Sequence, residues 1–399
     1  MTNTKLWTKD FLIISTENFF AYFTYYILVA TITVFAIDKF HASPSEAGLA
    51  SGIFIIGTLL GRLFAGRSIE LVGRKKMLLI GFIFFLITTL LYFVANSLLL
   101  LIIIRILHGA AFGVTSTATG TIVADIIPHE RRGEGIGYYA LSTTIAAAIG
   151  PFLGMYITQH TSFSINFVVC FIVLSVSFLT AVFLKVPKAE IPSKELDNLK
   201  KFKWDHFFES KAIPIAIVTA VIAFCFSSVL SFLTSYSKEI YLTDIASFFF
   251  ITYAAAILVS RPFIGRWFDR KGENFVIYPT FLFFGIGLLI LGLVHHGFFL
   301  LLAGVFVGIG YGNFLSSGQA VAIKVSPKHR MGLATSTFFI FTDGGVGIGP
   351  FILGFLIPVI HYRGLYILMG FVVFSCAFIY YFLHGRIAGR VDRLNEEES

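Results

Sequence analysis

Long apolar stretches alternate with short polar connections along the whole chain, six in each half. None of the stretches shows the alternation of polar and apolar residues that is typical of a membrane β-strand. About 20 apolar residues of helix cross the hydrocarbon core of a bilayer, and in lipid only helices or closed barrels satisfy the backbone hydrogen bonds. The sequence therefore predicts an all-α membrane protein with twelve transmembrane helices. The predicted spans are 11–36, 47–66, 77–95, 97–124, 135–157, 163–184, 213–236, 245–265, 275–294, 297–323, 333–358 and 364–383.

Composition supports a polytopic membrane protein without a large soluble domain. Hydrophobic residues make up 57% of the 399 residues and charged residues 13%, about half the charged share of a soluble domain. The 47 Phe and 16 Tyr exclude a disordered chain. The three cysteines, Cys170, Cys225 and Cys376, lie in separate apolar stretches, so neither a disulfide framework nor a thiolate metal site is predicted.

Lysine and arginine are distributed unevenly between the two sides of the predicted membrane. The side that holds both termini and the central linker carries 24 of the 30 basic residues, the other side carries 3, and 3 lie within spans. The positive-inside rule then places both termini in the cytoplasm. The net charge of +8 comes from these scattered loops, which do not form the basic patch of a nucleic-acid-binding protein.

The two halves of the chain are related by an offset of 199 residues. At this offset the segment 61–73 resembles 260–272, PHERRG at 128–133 matches PKHRMG at 327–332, and GPF recurs at 150–152 and 349–351. Because six spans is an even number, both halves should have the same orientation, related by a pseudo-twofold axis along the membrane normal. The expected organisation is a six-helix bundle at 1–184, a cytoplasmic linker at 185–211, a second six-helix bundle at 212–384 and a cytoplasmic tail at 385–399.

Three short runs carry a family resemblance. GRSIELVGRKK at 66–76 resembles the G-x-x-x-D-R-x-G-R-R loop of the major facilitator superfamily, with Glu70 for Asp and Leu71 for Arg. RILHG at 105–109 resembles its R-x-x-Q-G motif, with His108 for Gln. The segment 137–155 resembles the motif G-x8-G-x3-G-P-x2-G-G of its antiporters, and two of those glycines are replaced, by Ala146 and Met155. The chain as a whole resembles the twelve-helix drug:proton antiporters.

The resemblance implies a cytoplasmic gate, and it favours export over import as the direction of transport. We expect the glycines of the loop to allow close helix approach, and a carboxylate near a helix N-terminus to act as a latch. Gly-Pro in the middle of a helix allows it to bend. The predicted gating residues are Gly66, Glu70, Gly73, Arg74, Gly265, Asp269, Arg270, Gly150 and Pro151.

Ionisable residues that occur within a span of one half only are candidates for proton coupling. Asp343 lies about 11 residues into its span, roughly 16 Å deep, where a charge costs about 2.5–3.5 kcal/mol. It should therefore face a cavity or remain protonated. Three of the candidates also have a purely structural interpretation. Asp343 could be a protonated acid bonded to a neighbouring helix, Glu17 an interfacial residue, and His108 a hydrogen-bonding replacement for the usual Gln. The four candidates are Asp343, Arg105, Glu17 and His108.

Polar residues at helical spacing on four predicted spans could line a substrate cavity of aromatic and small polar groups. The same residue types often only bond one helix to another, and the sequence does not separate the two interpretations. These candidates are Asn18, Tyr22, Tyr25, Thr115, Ser227, Ser231, Tyr311 and Asn313.

These features predict a secondary transporter that exports a small organic compound by proton antiport in a bacterial cell membrane. The alternatives are efflux of a dedicated endogenous metabolite, such as a sugar or a metal chelator, and coupled or facilitated uptake. No Walker loop supports ATP-driven transport. A membrane enzyme is a remote alternative, because HExxH and clustered histidines are absent from the sequence. We expect a monomer that is surrounded by membrane lipid and that binds a small-molecule substrate and protons. No cofactor, metal, ATP or nucleic acid is expected to bind.

Overall fold

A computed structural model describes residues 6–128, 132–186, 208–327 and 331–386. Within these ranges the side chains of 67, 70, 132–134, 136–137, 262, 269 and 331–332 are not described. Nearly all of the described chain is helical, and it contains no strand. The predicted all-α fold is therefore confirmed.

Six α-helices form the described part of the first half. Two of them begin at a side-chain cap: Thr8 accepts a hydrogen bond from Phe11 N at the start of the first helix, and Ser97 accepts one from Leu100 N at the start of the fourth. The helices are α1 Lys9–Phe40, α2 Pro44–Val72, α3 Arg74–Leu91, α4 Leu98–Ile126, α5 Arg132–His160 and α6 Ser164–Val182.

The described part of the second half contains six more long helices, two of which follow their predecessors without a loop, and a short helix Thr243–Ala246. Gly272 breaks the segment Phe249–Gly292 into α8 (249–271) and α9 (273–292), and His361 breaks Met331–Tyr380 into α11 (331–360) and α12 (362–380). Eleven described segments are long and apolar enough to cross a membrane, and the last of these holds both α11 and α12. The remaining helices are α7 Ile213–Glu239 and α10, which runs from Gly297–Val307 through a π-helical turn Gly308–Gly312 to Asn313–Lys324.

The chain divides into two compact units. The first comprises Met1–Ala42 and Leu49–Phe202, and the second comprises Ser43–Gly48 and Lys203–Ser399. In the first unit α1 packs along α5 and α3 packs against α4 and α6, whereas in the second α7 packs against the segment Met331–Tyr380. Most of the predicted linker (187–207) and of the tail (387–399) lies outside the described residues.

The duplication found in the sequence recurs in the backbone. Gly73 and Gly272, 199 positions apart, have φ values of 94° and 80°, which only glycine adopts without strain. A Cβ at Gly109 would lie 2.0 Å from the Phe54 carbonyl oxygen, and one at Gly308 would lie 2.3 Å from that of Tyr253. The close contacts of α4 with α2 and of α10 with α8 therefore depend on glycine at equivalent positions.

Candidate functional site

Arg105 is completely buried in the first unit. Its Nε donates to the Ala50 carbonyl (2.9 Å), Nη2 donates to the Ser51 carbonyl (3.0 Å), and Nη1 donates to the Tyr92 hydroxyl (3.3 Å). The guanidinium carbon lies 4.6 Å from the centre of the Phe54 ring, a favourable cation–π position. Carbonyl dipoles and a ring face thus stabilise the charge, and no carboxylate of the described chain bonds to it. Arg105 joins α4 to α2 and to the end of α3.

His108, one turn further along α4, is also completely buried. Its Nε2 lies 3.1 Å from the Thr89 hydroxyl, and its ring lies 4.6 Å from the Phe85 ring and 5.1 Å from the Tyr92 ring. Nδ1 has no partner among the described residues. Because Arg105 and His108 both contact Tyr92, the two predicted residues belong to one cluster, to which Thr89 also belongs. We call these four residues the α3–α4 polar cluster.

In the described part of the second unit, the positions equivalent to this cluster are not polar. At positions 199 residues further on, each of the four residues is replaced by an apolar residue or by glycine. The three replacements other than glycine, Leu288, Leu291 and Val307, are completely buried. A six-helix unit can therefore pack at this place without polar groups. The four counterparts of Thr89, Tyr92, Arg105 and His108 are Leu288, Leu291, Gly304 and Val307.

Glu17 lies on α1, again completely buried. Neither carboxyl oxygen has a hydrogen-bond partner within the described ranges. Burial of a carboxylate without a partner is costly, and a packed helix in a membrane bundle rarely tolerates it without a functional reason. Among the described residues, Glu17 alone has two buried side-chain oxygens without a partner.

The neighbouring residue Asn18 is, in contrast, engaged at both ends of its amide. Nδ2 lies 2.8 Å from the Ser142 hydroxyl and 3.0 Å from that of Thr143, and Oδ1 accepts from the Tyr139 hydroxyl at 2.8 Å. The Tyr139 oxygen also lies 3.0 Å from the Thr119 hydroxyl. Asn18 therefore ties α1 to α5. Sequence reasoning missed Tyr139, although Tyr139, Ser142 and Thr143 have the i, i+3, i+4 spacing of one helix face.

Asp343 is half-buried on α11 of the second unit, whereas the other three predicted coupling residues all lie in the first unit. Two residues further along α11, a Cβ at Gly345 would lie 2.2 Å from the Ala220 carbonyl oxygen. Asp343 is thus held beside a tight contact between α11 and α7.

Most of the predicted cavity residues are buried. Tyr22 is half-buried, and the other seven are buried. The Thr115 hydroxyl donates to the Ala111 carbonyl (2.9 Å), and the Ser227 hydroxyl donates to the Phe224 carbonyl (2.7 Å). Both therefore bond within their own helix.

Arg74, a predicted gating residue, and its counterpart in the second unit each form an ion pair, and the charges of the two pairs are exchanged. Arg74 at the start of α3 pairs with Asp125 at the end of α4. At positions 199 further on, Glu273 accepts from Lys324 Nζ (2.5 Å) and contacts His384 Nε2 (2.8 Å). An acid at a helix N-terminus and a base at a C-terminus suit the helix dipole. The pair in the second unit is therefore favoured by its helices, and the pair in the first unit is opposed by them.

Other predicted gating residues differ in their surroundings. A Cβ at Gly66 or Gly265 would meet no described atom within 4 Å, so the close helix approach expected at these glycines is absent from the described structure. A Cβ at Gly150, before Pro151, would lie 2.7 Å from Tyr26 Cβ, so α5 does approach α1 closely. Arg270 is exposed. The side chains of two further predicted residues, Glu70 and Asp269, lie outside the described residues.

Known proteins with similar sequences include transporters. The staphylopine export protein of Staphylococcus aureus is 23% identical over 83% of this chain and 85% of its own length. Multidrug resistance protein 2 of Bacillus subtilis is 23% identical over 92% of this chain and 93% of its own length.

Solved structures share the fold. A bacterial homologue of the human lysosomal transporter Spinster, inward-facing and unoccupied, superimposes with a TM-score of 0.76 at 15% identity, over 96% of this chain and 97% of that one. The nucleoside transporter NupG does so with a TM-score of 0.74 at 13% identity, over 94% and 99%. The family model of the Major Facilitator Superfamily matches residues 17–275 and 242–398. The chain belongs to the major facilitator superfamily and is a multi-pass membrane transporter.

Proposed function

We propose that this transporter exports a small organic compound across the cell membrane in exchange for protons. The observation that carries the proposal is Glu17, a completely buried carboxyl group whose two oxygens have no partner in the described chain. A buried acid of this kind is suited to binding a proton on one side of the membrane and releasing it on the other. Export is supported by the relatives named as an export protein and as multidrug resistance proteins.

The α3–α4 polar cluster supports a division of roles between the units. Its buried guanidinium and imidazole lie in the first unit, which also holds Glu17, and their counterparts in the second unit are Gly304 and Val307. We assign Arg105 and His108 to proton coupling for this reason, and Asp343 as the second acid, in the other unit. The excess of basic residues on one side supports cytoplasmic termini.

The test uses proteoliposomes that contain a pH dye, with a panel of organic solutes. We expect solute-triggered proton movement in the wild type, with loss of this signal in Glu17→Gln and Asp343→Asn. Glu239→Gln removes an exposed acid at the end of α7 and should retain it. Solute accumulation without proton movement would instead indicate a facilitator, and unchanged coupling in both variants would refute the assigned acids.

A dedicated metabolite exporter is the second candidate, because two relatives carry the names staphylopine export protein and staphyloferrin B transporter. Both cover more than four fifths of this chain. The same proteoliposomes distinguish the candidates: a response to staphylopine or staphyloferrin B with none to the multidrug panel favours dedicated export.

A further inference from the structure

Basic side chains gather at the end of the second unit where α7, α9 and α11 finish. Arg363, near the start of α12, donates from Nη2 to the Val294 carbonyl (3.1 Å). Its Nη1 lies 3.2 Å from His295 Nε2, and its Nη2 lies 3.2 Å from His295 Nδ1. His295 is exposed, as are His296 and His361, whereas Arg363 is half-buried. We call the arginine and these three histidines the Arg–His cluster.

The helix ends hold this cluster in place. A Cβ at Gly292, the last residue of α9, would lie 2.9 Å from the Arg363 carbonyl oxygen, so α9 and α12 approach closely here. His361, between α11 and α12, has a φ of 56° and a ψ of 173°, which breaks the helix two residues before Arg363. The cluster therefore lies on the short connections of two helix pairs, α9–α10 and α11–α12.

These two helix pairs supply no carboxylate for the charge of the arginine. Residues 274–342 and 344–391 contain neither Asp nor Glu, and Asp343 lies about 17 residues before the end of α11, roughly 26 Å along the helix. Glu239, at the end of α7, is exposed and does not bond to Arg363 in the described structure. Arg363 therefore has no carboxylate partner in the part of the chain that the structure describes.

The first unit has small neutral residues at the corresponding positions. Each equivalent residue, 199 positions earlier, carries a hydroxyl or an amide in place of an ionisable group. A six-helix unit can therefore form these connections without a cation. The counterparts of His295, His296, His361 and Arg363 are Asn96, Ser97, Ser162 and Ser164.

Apolar side chains border the cluster on the surface of the second unit. Leu293 is 62% exposed, Phe298 63% and Val359 76%, and each lies two residues from a histidine of the cluster. Lipid tails are as apolar as these side chains, so exposed positions of this kind on a transmembrane helix are suited to acyl chains. A cation without a carboxylate partner thus adjoins a surface suited to lipid.

We infer that the Arg–His cluster binds the phosphate of an anionic phospholipid, whose acyl chains lie along Leu293, Phe298 and Val359. A guanidinium has five N–H donors. The Val294 carbonyl takes one and a neutral imidazole accepts only one more, so three remain for phosphate oxygens, which arginine binds in pairs. Basic pockets between transmembrane helices bind lipid headgroups for the same reason.

His296 adds a second kind of donor. Its Nδ1 accepts from Phe298 N at 3.2 Å at the start of α10, so the proton of the neutral ring lies on Nε2. The ring therefore caps the helix and still offers one N–H to an anion. Because the ligand is a lipid, the inference goes beyond the proposed function and does not depend on the transported compound or on protons.

The test locates the lipid by photo-crosslinking. The purified full chain is placed in phosphatidylcholine nanodiscs that contain a little phosphatidylglycerol with a diazirine on its headgroup, and adducts are mapped by mass spectrometry. Mapping is needed because most basic residues of the chain lie on the other side of the membrane by sequence. We expect wild-type adducts in 293–299 and 359–364. Arg363→Gln should lower these adducts about 5-fold, and Arg363→Lys, which keeps the charge, should lose less than about 2-fold.

Lys238→Gln is the matched control, because it removes an exposed basic residue near the end of α7, at the same end of the second unit. It should leave the adducts in both segments unchanged. Competitors then identify the source of the phosphate. Unlabelled phosphatidylglycerol should suppress the adducts, whereas phosphatidylcholine and inorganic phosphate should not.

Three results would overturn the inference: equal adducts with phosphatidylglycerol and phosphatidylcholine probes, adducts that Arg363→Gln leaves unchanged, and competition by inorganic phosphate as strong as that by phosphatidylglycerol. The comparison of the two probes on the wild type decides the question even if Arg363→Gln does not fold. The readout is lipid contact, so a failed proton-exchange assay would leave this inference standing, and failure of the lipid site would leave the proposed function intact.

Discussion

Glu273→Gln is the substitution that most directly tests the exchanged ion pair. Glu273 follows the break at Gly272, is 3% exposed, and holds Lys324 Nζ at 2.5 Å and His384 Nε2 at 2.8 Å. It therefore joins the start of α9 to the end of α10 and to a π-helical turn, Tyr381–Gly385, that follows α12. Glutamine keeps the size of the side chain and removes its charge.

The magnitude follows from three contributions. The Lys324 side chain is 54% exposed, so its pair contributes as a surface salt bridge, about 0.2–1 kcal/mol. The hydrogen bond between His384 and a charged acceptor contributes about 1.5–3 kcal/mol, and an acid at a helix N-terminus contributes about 0.3–1 kcal/mol. Glutamine retains one neutral hydrogen bond of about 1 kcal/mol. The expected net loss is about 1–4 kcal/mol, which lowers the Tm of a unit of this size by about 2–16 °C.

Thermal unfolding of the purified protein is the assay, and Arg74→Gln at the equivalent position of the first unit is the matched control. Removal of Arg74 also removes a charge that opposes its helix dipole, so this control should lose less than about 1 kcal/mol. A smaller Tm decrease for Glu273→Gln than for Arg74→Gln would refute the reasoning from helix polarity.

Two further predictions concern packing and hydrogen bonding in the first unit, both measured by thermal unfolding. Gly109→Ala should destabilise by about 1–3 kcal/mol, because the added Cβ would lie 2.0 Å from the Phe54 carbonyl oxygen, whereas Gly120→Ala, with nothing within 4 Å, should stabilise by about 0.5–1 kcal/mol. Equal shifts for the two alanine variants would contradict the α2–α4 contact. Tyr139→Phe should cost about 1–3 kcal/mol, because the buried Asn18 Oδ1 loses its donor. An unchanged Tm would show that another group satisfies this oxygen.

The sequence alone determined the number and type of the helices and the duplication of the chain. Lipid offers the backbone no hydrogen-bond partners, so apolar length by itself predicts a helix. The repeat was also readable, because glycines that a backbone break requires, such as Gly73 and Gly272, recur at a fixed offset. Arg105 and His108 could also be singled out, because neither has an ionisable counterpart in the other half; their role in proton coupling stays a prediction.

The tertiary structure decided which side chains meet. Sequence spacing fixes neighbours within one helix, but it does not fix the rotation of one helix against another or the distance between them. The hydrogen bond from Tyr139 to Asn18 therefore depends on how α5 packs on α1. The ion pairs of Arg74 and Glu273 likewise join residues some 50 positions apart in the chain. Gly66 and Gly265 show the same limit of sequence-based prediction. The sequence identifies the glycines, but only the packed helices show that no described atom lies within 4 Å of a Cβ at either position.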